Sequence, residues 1–232
     1  MVKAADLMAI VMARLLRDGE TVFHGVASPL PMVAILLARR LHAPHLTYLN
    51  ITGAVGARPT HLPRSTVDAA LARGAPAQVT LTDLFDLAAR GRLDTVFLSG
   101  VQIDRAGRIN LSMVPGVRLP GGAGSAALMP TARRTILWRT RHDRRTFVDA
   151  LPFVTAAGHV DRVVTPLCVF RRISEQLAVE SLHSGVTPAN LSAATGFSIA
   201  VDDSTPRTPA PTGAELATLA QIDPDRIRDT EF

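Results

Sequence analysis

Apolar residues Leu7, Ile10, Val11 and Leu15 recur at helical spacing and predict a helix over 4–18, stopped by Gly19. The β-branched and aromatic run 21–26 reads as a buried strand. A second helix is predicted over 29–41, with proline in its first turn and Ser28 placed to cap it. Ala43-Pro44 breaks that helix, and 46–51 reads as another strand before a Gly/Pro loop over 52–63. Short helices follow at 66–72 and 81–90, then a strand over 95–98 ended by Gly100. Strands alternating with helices in this order imply an α/β fold: an open, mostly parallel sheet flanked by helices.

The second half alternates less cleanly. Short or apolar strands are expected at 108–111, 134–139, 160–170 and 176–182. A glycine-rich loop over 115–124 leads into a helix from Ser125, and Thr187-Pro188 opens another that ends near Gly196. The three prolines of 204–212 read as an extended connector, after which Thr212 caps a last helix over 213–221. No repeat and no composition shift divides the chain, so 1–232 is expected to be a single domain with that connector and a C-terminal helix.

Composition narrows the class. At 47% hydrophobic the 232 residues are too apolar for disorder, and one cysteine excludes a disulfide scaffold or a cysteine-rich metal site. The longest apolar stretch, from Leu30 to Ala38, is interrupted by Pro31 and stops at Arg39, well short of the roughly 18 residues of a membrane span. Asp6 inside the N-terminal apolar segment argues against a signal peptide, so a soluble cytoplasmic protein without membrane attachment is expected. The net charge of +5 is almost entirely arginine, since Lys3 is the sole lysine, and it suggests an anionic partner. The arginines are scattered and no aromatic–basic alternation accompanies them, so nucleic acid is not expected.

Three loops at predicted strand ends carry candidate chemistry. Asn50, Thr52 and Gly53 end the second strand, where open α/β sheets bind ligands, but a plain strand end would look the same. Gln102 and Asp104 follow the third strand, and turn-forming side chains that bond their own backbone explain them equally well. Gly121 and Gly122, in Leu119-Pro-Gly-Gly-Ala-Gly-Ser125, can aim backbone amides at an anion; the loop lacks the lysine of a phosphate-binding loop and the spacing of a dinucleotide fingerprint. None of the seven histidines has metal-ligand spacing, so no metal is assigned, and Cys168 in an apolar run reads as a buried thiol.

The stretch Gly100-Val-Gln-Ile-Asp104, with Gly107, Asn110 and the Gly121-Gly122 loop, resembles the β subunit of class I CoA-transferases, of the glutaconate CoA-transferase type. Pro63-Arg64-Ser65, His142 to Arg145, Ser181 to Pro188, Thr195-Gly-Phe197 and Ile222-Asp-Pro224 extend the likeness across the chain. The resemblance implies a homologous α subunit in an α2β2 heterotetramer and an acyl-CoA thioester as substrate, with CoA part of the substrate rather than a resident cofactor. It implies oxyanion amides at Gly121 and Gly122, and a pocket lined by Ser28, Asn50, Ile51, Thr52, Gly53 and Gln102.

In true transferases of this family a β-subunit glutamate at the end of the second strand attacks the thioester and becomes a glutamyl-CoA. The likeness places Ile51 at that position, and no glutamate occurs from 21 to 174. The departure is similar to a divergent branch of the family whose members hydrolyse a ring of a CoA thioester, with the glutamate on α, or decarboxylate one through a β-subunit cysteine. Hydrolysis, C–C cleavage or decarboxylation is therefore expected in place of glutamate-borne transfer. The alternatives are a true CoA-transferase and a non-catalytic subunit completing the partner's pocket.

Overall fold

The computed structural model describes residues 2–232, which form two compact units. The first comprises most of the N-terminal hundred residues and 211–232. Its centre is the strand Thr21–His24, paired in parallel with Thr47–Leu49 on one side and Thr95–Leu98 on the other. These short runs of β-branched and aromatic residues are almost wholly buried, as strands covered on both faces must be. Ala54–Val55 and Ala77–Gln78 add antiparallel pairings beyond Thr47–Leu49.

The helices Ala4–Arg14, Pro29–Leu41 and Gly213–Ile222 pack on one another. Arg14 grips Glu215 through two hydrogen bonds of 2.6 and 2.7 Å, tying the first helix to the last. Chiefly through that hydrogen bond, the Glu215 carboxyl is held down at about 2. Glu215 also completes a capping box with Thr212, as the sequence predicts for Thr212. Beyond this helix Arg228, 3% exposed, lies between Asp6 and Asp223 at 2.7 Å from each. A 3-10 turn, Ile227–Glu231, then brings Glu231 against the N-terminus of Pro29–Leu41, where it accepts the Leu30 N–H at 3.0 Å. The cap expected of Ser28 is therefore supplied from the other end of the chain; the Ser28 hydroxyl turns back to its own loop.

The second unit holds most of 98–210. Arg134–Trp138 runs parallel to Val160–Val164, and Cys168–Ile173 and Gln176–Leu182 follow antiparallel. The single strand predicted over 160–170 is thus two, reversed at Thr165. That hydroxyl accepts the N–H groups of Leu167 and Cys168 (3.2 and 3.1 Å), and Pro166 cannot donate to a ladder. A continuous apolar run hides such a reversal because both strands are buried. A small sheet sets Gln102–Asp104 between Phe147–Val148 and Ile109–Asn110. The loop expected over 115–124 starts with a hairpin, Met113–Val114 with Val117–Arg118. The helix expected at 66–72 is only the 3-10 turn Ala69–Ala72, capped by Asp68.

Parallel strands at the heart of each unit, flanked by helices and extended by antiparallel strands, make the fold α/β as expected. Among the described residues no helix is long and apolar enough to cross a membrane.

Candidate functional site

In the first unit the predicted site residues gather around a buried polar chain. His24 ends the strand Thr21–His24; its Nδ1 meets the Ser28 hydroxyl at 2.7 Å and its Nε2 meets the Tyr48 hydroxyl at 2.7 Å. The Ser28 hydroxyl donates to the Gly25 carbonyl, so it accepts from Nδ1–H, and Nε2 accepts the tyrosine proton. Both rings are fully buried and nearly stacked. Burial holds the His24 imidazole down at about 4, so it is neutral at physiological pH. Burial likewise pushes the Tyr48 phenol above its ordinary value, an effect eased by a hydrogen bond with Asn50 and the nearby Arg39 charge.

Asn50, 2% exposed, then organises the turn that ends the strand. Its Nδ2 donates to the Leu71 carbonyl at 3.1 Å. Its Oδ1 accepts from the N–H groups of Thr52 and Ala54 and from the Thr52 hydroxyl. Gly53 adopts φ +83°, and a Cβ there would stand 2.2 Å from the Val79 carbonyl oxygen, so only glycine fits. Ile51 lies half-buried at the tip of this turn. Ser28, Asn50, Thr52 and Gly53 are thus brought together by hydrogen bonds, with no ionisable nucleophile among them.

In the second unit Gln102 accepts from Asn110 Nδ2 at 2.9 Å and donates to the Arg145 carbonyl at 3.2 Å. Asn110 also holds the start of the hairpin, through the N–H groups of Ser112 and Met113 and the Met113 carbonyl. Asp104 bonds the N–H groups of Ala106 and Arg108 and pairs with the Arg108 guanidinium, the local turn role its spacing allows.

The glycine loop follows. The Gly121 N–H donates to the Leu111 carbonyl at 2.9 Å, so this amide is already engaged and cannot face an oxyanion. Gly122, Ala123 and Gly124 have N–H groups without a hydrogen-bond partner among the described residues. Gly122 packs against Thr155, whose Cγ2 would lie 2.5 Å from a Cβ placed there. Thr155 in turn accepts the Leu111 N–H at 2.8 Å, so one side chain both packs on Gly122 and holds the segment that bonds Gly121.

Other titratable groups are built into the fold. Cys168 is fully buried beside Thr165, and burial pushes its thiol up to about 12, which removes it as a nucleophile near neutrality. His142 lies between the hydroxyls of Thr165 and Thr195 and stacks on Phe147, and burial lowers it to about 4. His183 bonds the Thr208 hydroxyl and the Thr165 carbonyl at 2.8 Å each, clamping the proline-rich connector to the 165–168 reversal. The tail motif around Ser181 to Pro188 is therefore structural in this chain. Among the described residues no group of three or more His, Cys, Asp and Glu side chains could hold a metal.

Sequence reasoning missed His24 and Tyr48 as partners. The only available signal was that the one tyrosine and a histidine both lie inside consecutive predicted strands.

Comparison with known proteins gives a consistent result. The sequence model of the family described as coenzyme A transferase matches residues 6–193. The chain is 32% identical to one of the subunits of the 3-oxoadipate CoA-transferase of Pseudomonas knackmussii, over 94% of this chain and 92% of that one. It is 28% identical to the cholesterol ring-cleaving hydrolase IpdB subunit of Mycobacterium tuberculosis, over 98% of each. A chain of the decarboxylase AibA/AibB superposes with a TM-score of 0.93 at 32% identity, covering 100% of this chain and 99% of that one.

Proposed function

Because this chain belongs to the coenzyme A transferase family, among its β subunits, we propose that it joins a homologous α subunit to act on an acyl-CoA thioester by hydrolysis, C–C cleavage or decarboxylation. One observation carries the reading: the strand-end turn presents half-buried Ile51 and a fully engaged Asn50, with no carboxylate in the turn. A side chain that neither ionises nor attacks cannot form a glutamyl-CoA. The general base then comes from the partner, as does any nucleophile, since Cys168 is buried and His24 is neutral with both ring nitrogens engaged.

Within this reading Ser28, Asn50, Ile51, Thr52 and Gly53 are the first unit's contacts with substrate, and in the second unit Gln102 positions the glycine loop through Asn110. The Gly122 amide polarises the thioester carbonyl, with Gly121 acting by fixing the loop. A preorganised amide aimed at a developing oxyanion is worth about 3 kcal/mol in such sites. The relatives named as a ring-cleaving hydrolase subunit and a decarboxylase support this direction. CoA enters as part of the substrate.

Mass spectrometry of the complex mixed with an acyl-CoA and acetate tests the reading. The native chain is expected to gain no CoA adduct, whereas Ile51→Glu is expected to acquire a glutamyl-CoA in the same mixture. A glutamyl-CoA on the native chain would falsify the proposal. The identity to a 3-oxoadipate CoA-transferase favours one alternative, a true transferase. Acyl exchange between labelled CoA thioesters running faster than their hydrolysis would establish it.

A further inference from the structure

The first unit carries a cleft that the acyl-CoA reading does not use. Its volume is about 550 Å³, and it lies at the C-terminal end of the helix Pro29–Leu41, where Arg39 and Arg40 face Arg58 and the last turn of Gly213–Ile222. Ser28 stands at the other end of that helix, roughly 16 Å away at 1.5 Å per residue; of the three arginines, Arg39 alone comes near the polar chain, through its charge on the buried Tyr48 phenol.

Three features set this cleft apart from an ordinary solvated surface. Three guanidiniums line it, and its lining includes no aspartate or glutamate. Arg39 is held in place, donating to the Ala57 carbonyl at 2.6 Å and the Gly56 carbonyl at 3.4 Å, so its charge is positioned before any ligand arrives. Arg40 and Arg58 have no ion-pair partner among the described residues. The carboxylate on the adjoining loop, Asp225, faces His61 at 3.6 Å. Burial, and then repulsion from Arg58, lower the Arg39 guanidinium below its ordinary value. Like charges gathered without a counterion are unfavourable, and an anion bridging them relieves both the repulsion and the desolvation.

The rest of the lining narrows the ligand. Pro44, Pro59 and Ile222 give the cleft rigid apolar walls. Its volume falls within the range of small-molecule sites and exceeds what a bare phosphate fills. Arginine forks match phosphate oxygens two at a time.

We propose that this cleft binds a small organic phosphate, its phosphate groups held by Arg39, Arg40 and Arg58 and its body resting on the proline walls, at a site separate from the strand-end turn. The proposal stands apart from the acyl-CoA reading, and because CoA itself carries phosphates the test must separate the two.

The test is calorimetric titration of the full chain, co-purified with its partner subunit, against ADP and against inorganic pyrophosphate. ADP is expected to bind more tightly than pyrophosphate, and Arg40→Gln with Arg58→Gln is expected to weaken ADP at least tenfold. Both arginine side chains project from the surface, and an unchanged melting temperature will show that the double variant is folded. KM for the acyl-CoA is expected to stay within twofold of native. ADP affinity unaffected by the double variant, or absence of binding to the native complex, overturns the site. Pyrophosphate binding as tightly as ADP overturns the role of the apolar walls. A KM for acyl-CoA that rises in step with the lost ADP affinity overturns the separation and assigns the cleft to the substrate's own phosphates. The binding arms need no turnover, so they stand whether or not the acyl-CoA reading does.

Discussion

Two turns in this chain carry the residues that pattern and resemblance single out, and they differ in what their polar groups are doing. The turn after Thr47–Leu49 engages its polar side chains internally: Asn50 bonds four backbone and side-chain groups, and His24, Ser28 and Tyr48 satisfy one another. The loop before Ser125 commits the Gly121 amide to Leu111 and leaves the amides of Gly122 to Gly124 open. A turn whose hydrogen bonds are closed specifies shape. One with open donors beside a rigid wall can act on a bound group. The first turn is a closed scaffold, and the second presents free donors.

Substitutions at either turn can break this contrast. The largest effect is expected at Gly53, where alanine must displace the Val79 carbonyl and adopt a positive φ. Chemical denaturation of Gly53→Ala should show a loss of about 3 kcal/mol or more, from the clash and the backbone strain together. A near-native variant would mean that the strand-end turn is not rigid.

Acid should loosen both units through their buried neutral histidines. A histidine with a folded pKa below its unfolded value near 6.5 contributes stability that is fully present above 6.5. That contribution is lost as the pH falls toward about 4, the folded value of His24 and of His142. His183 shifts in the same direction. For fully buried His24 the loss is on the order of 3 kcal/mol. Melting temperatures of native chain and His24→Gln between pH 7 and 4.5 should converge as the pH falls; parallel curves would remove His24 from the account.

Tyr48→Phe takes the proton donor from His24 Nε2 and leaves a buried nitrogen without a partner. The expected cost is about 2 kcal/mol. A Tyr48→Phe/Asn50→Ala double-mutant cycle should show coupling between the strand and its turn, and additive losses would mean the polar chain is not continuous. The smallest effect is expected in the glycine loop. Gly122→Ala meets the Thr155 Cγ2 methyl and should cost about 1 kcal/mol by overpacking. Thr155→Ser removes that methyl while keeping the hydroxyl that holds Leu111 and Ser112. The double variant should therefore recover native stability, and failure to recover would place the strain elsewhere.

Much of the fold was legible in the chain. The helix Pro29–Leu41, the strands Thr95–Leu98 and Gln176–Leu182 and the cap at Thr212 all sit where periodicity and capping chemistry place them, because each is decided by neighbours within one or two turns. The reversal at Thr165 was not legible, since two consecutive buried strands and one long strand share the same apolar composition. The family likeness carried the candidate loops, but it assigned Gly121 and Gly122 the same role; only coordinates separate an amide already bonded from one left open.

The sequence by itself determined the absence of a carboxylate from the turn 50–53, the single cysteine and the near-exclusive use of arginine, because those are facts of composition and order that no folding changes. Tertiary structure alone decided what these residues meet. It closed Asn50, His24 and Tyr48 into one neutral chain, brought Glu231 to Leu30 across the whole length of the protein, and gathered Arg39, Arg40 and Arg58 around one cleft. Hydrogen bonds and charge repulsion depend on distances of a few ångströms. Those distances are set when distant segments bury their apolar faces together, not by spacing along the chain.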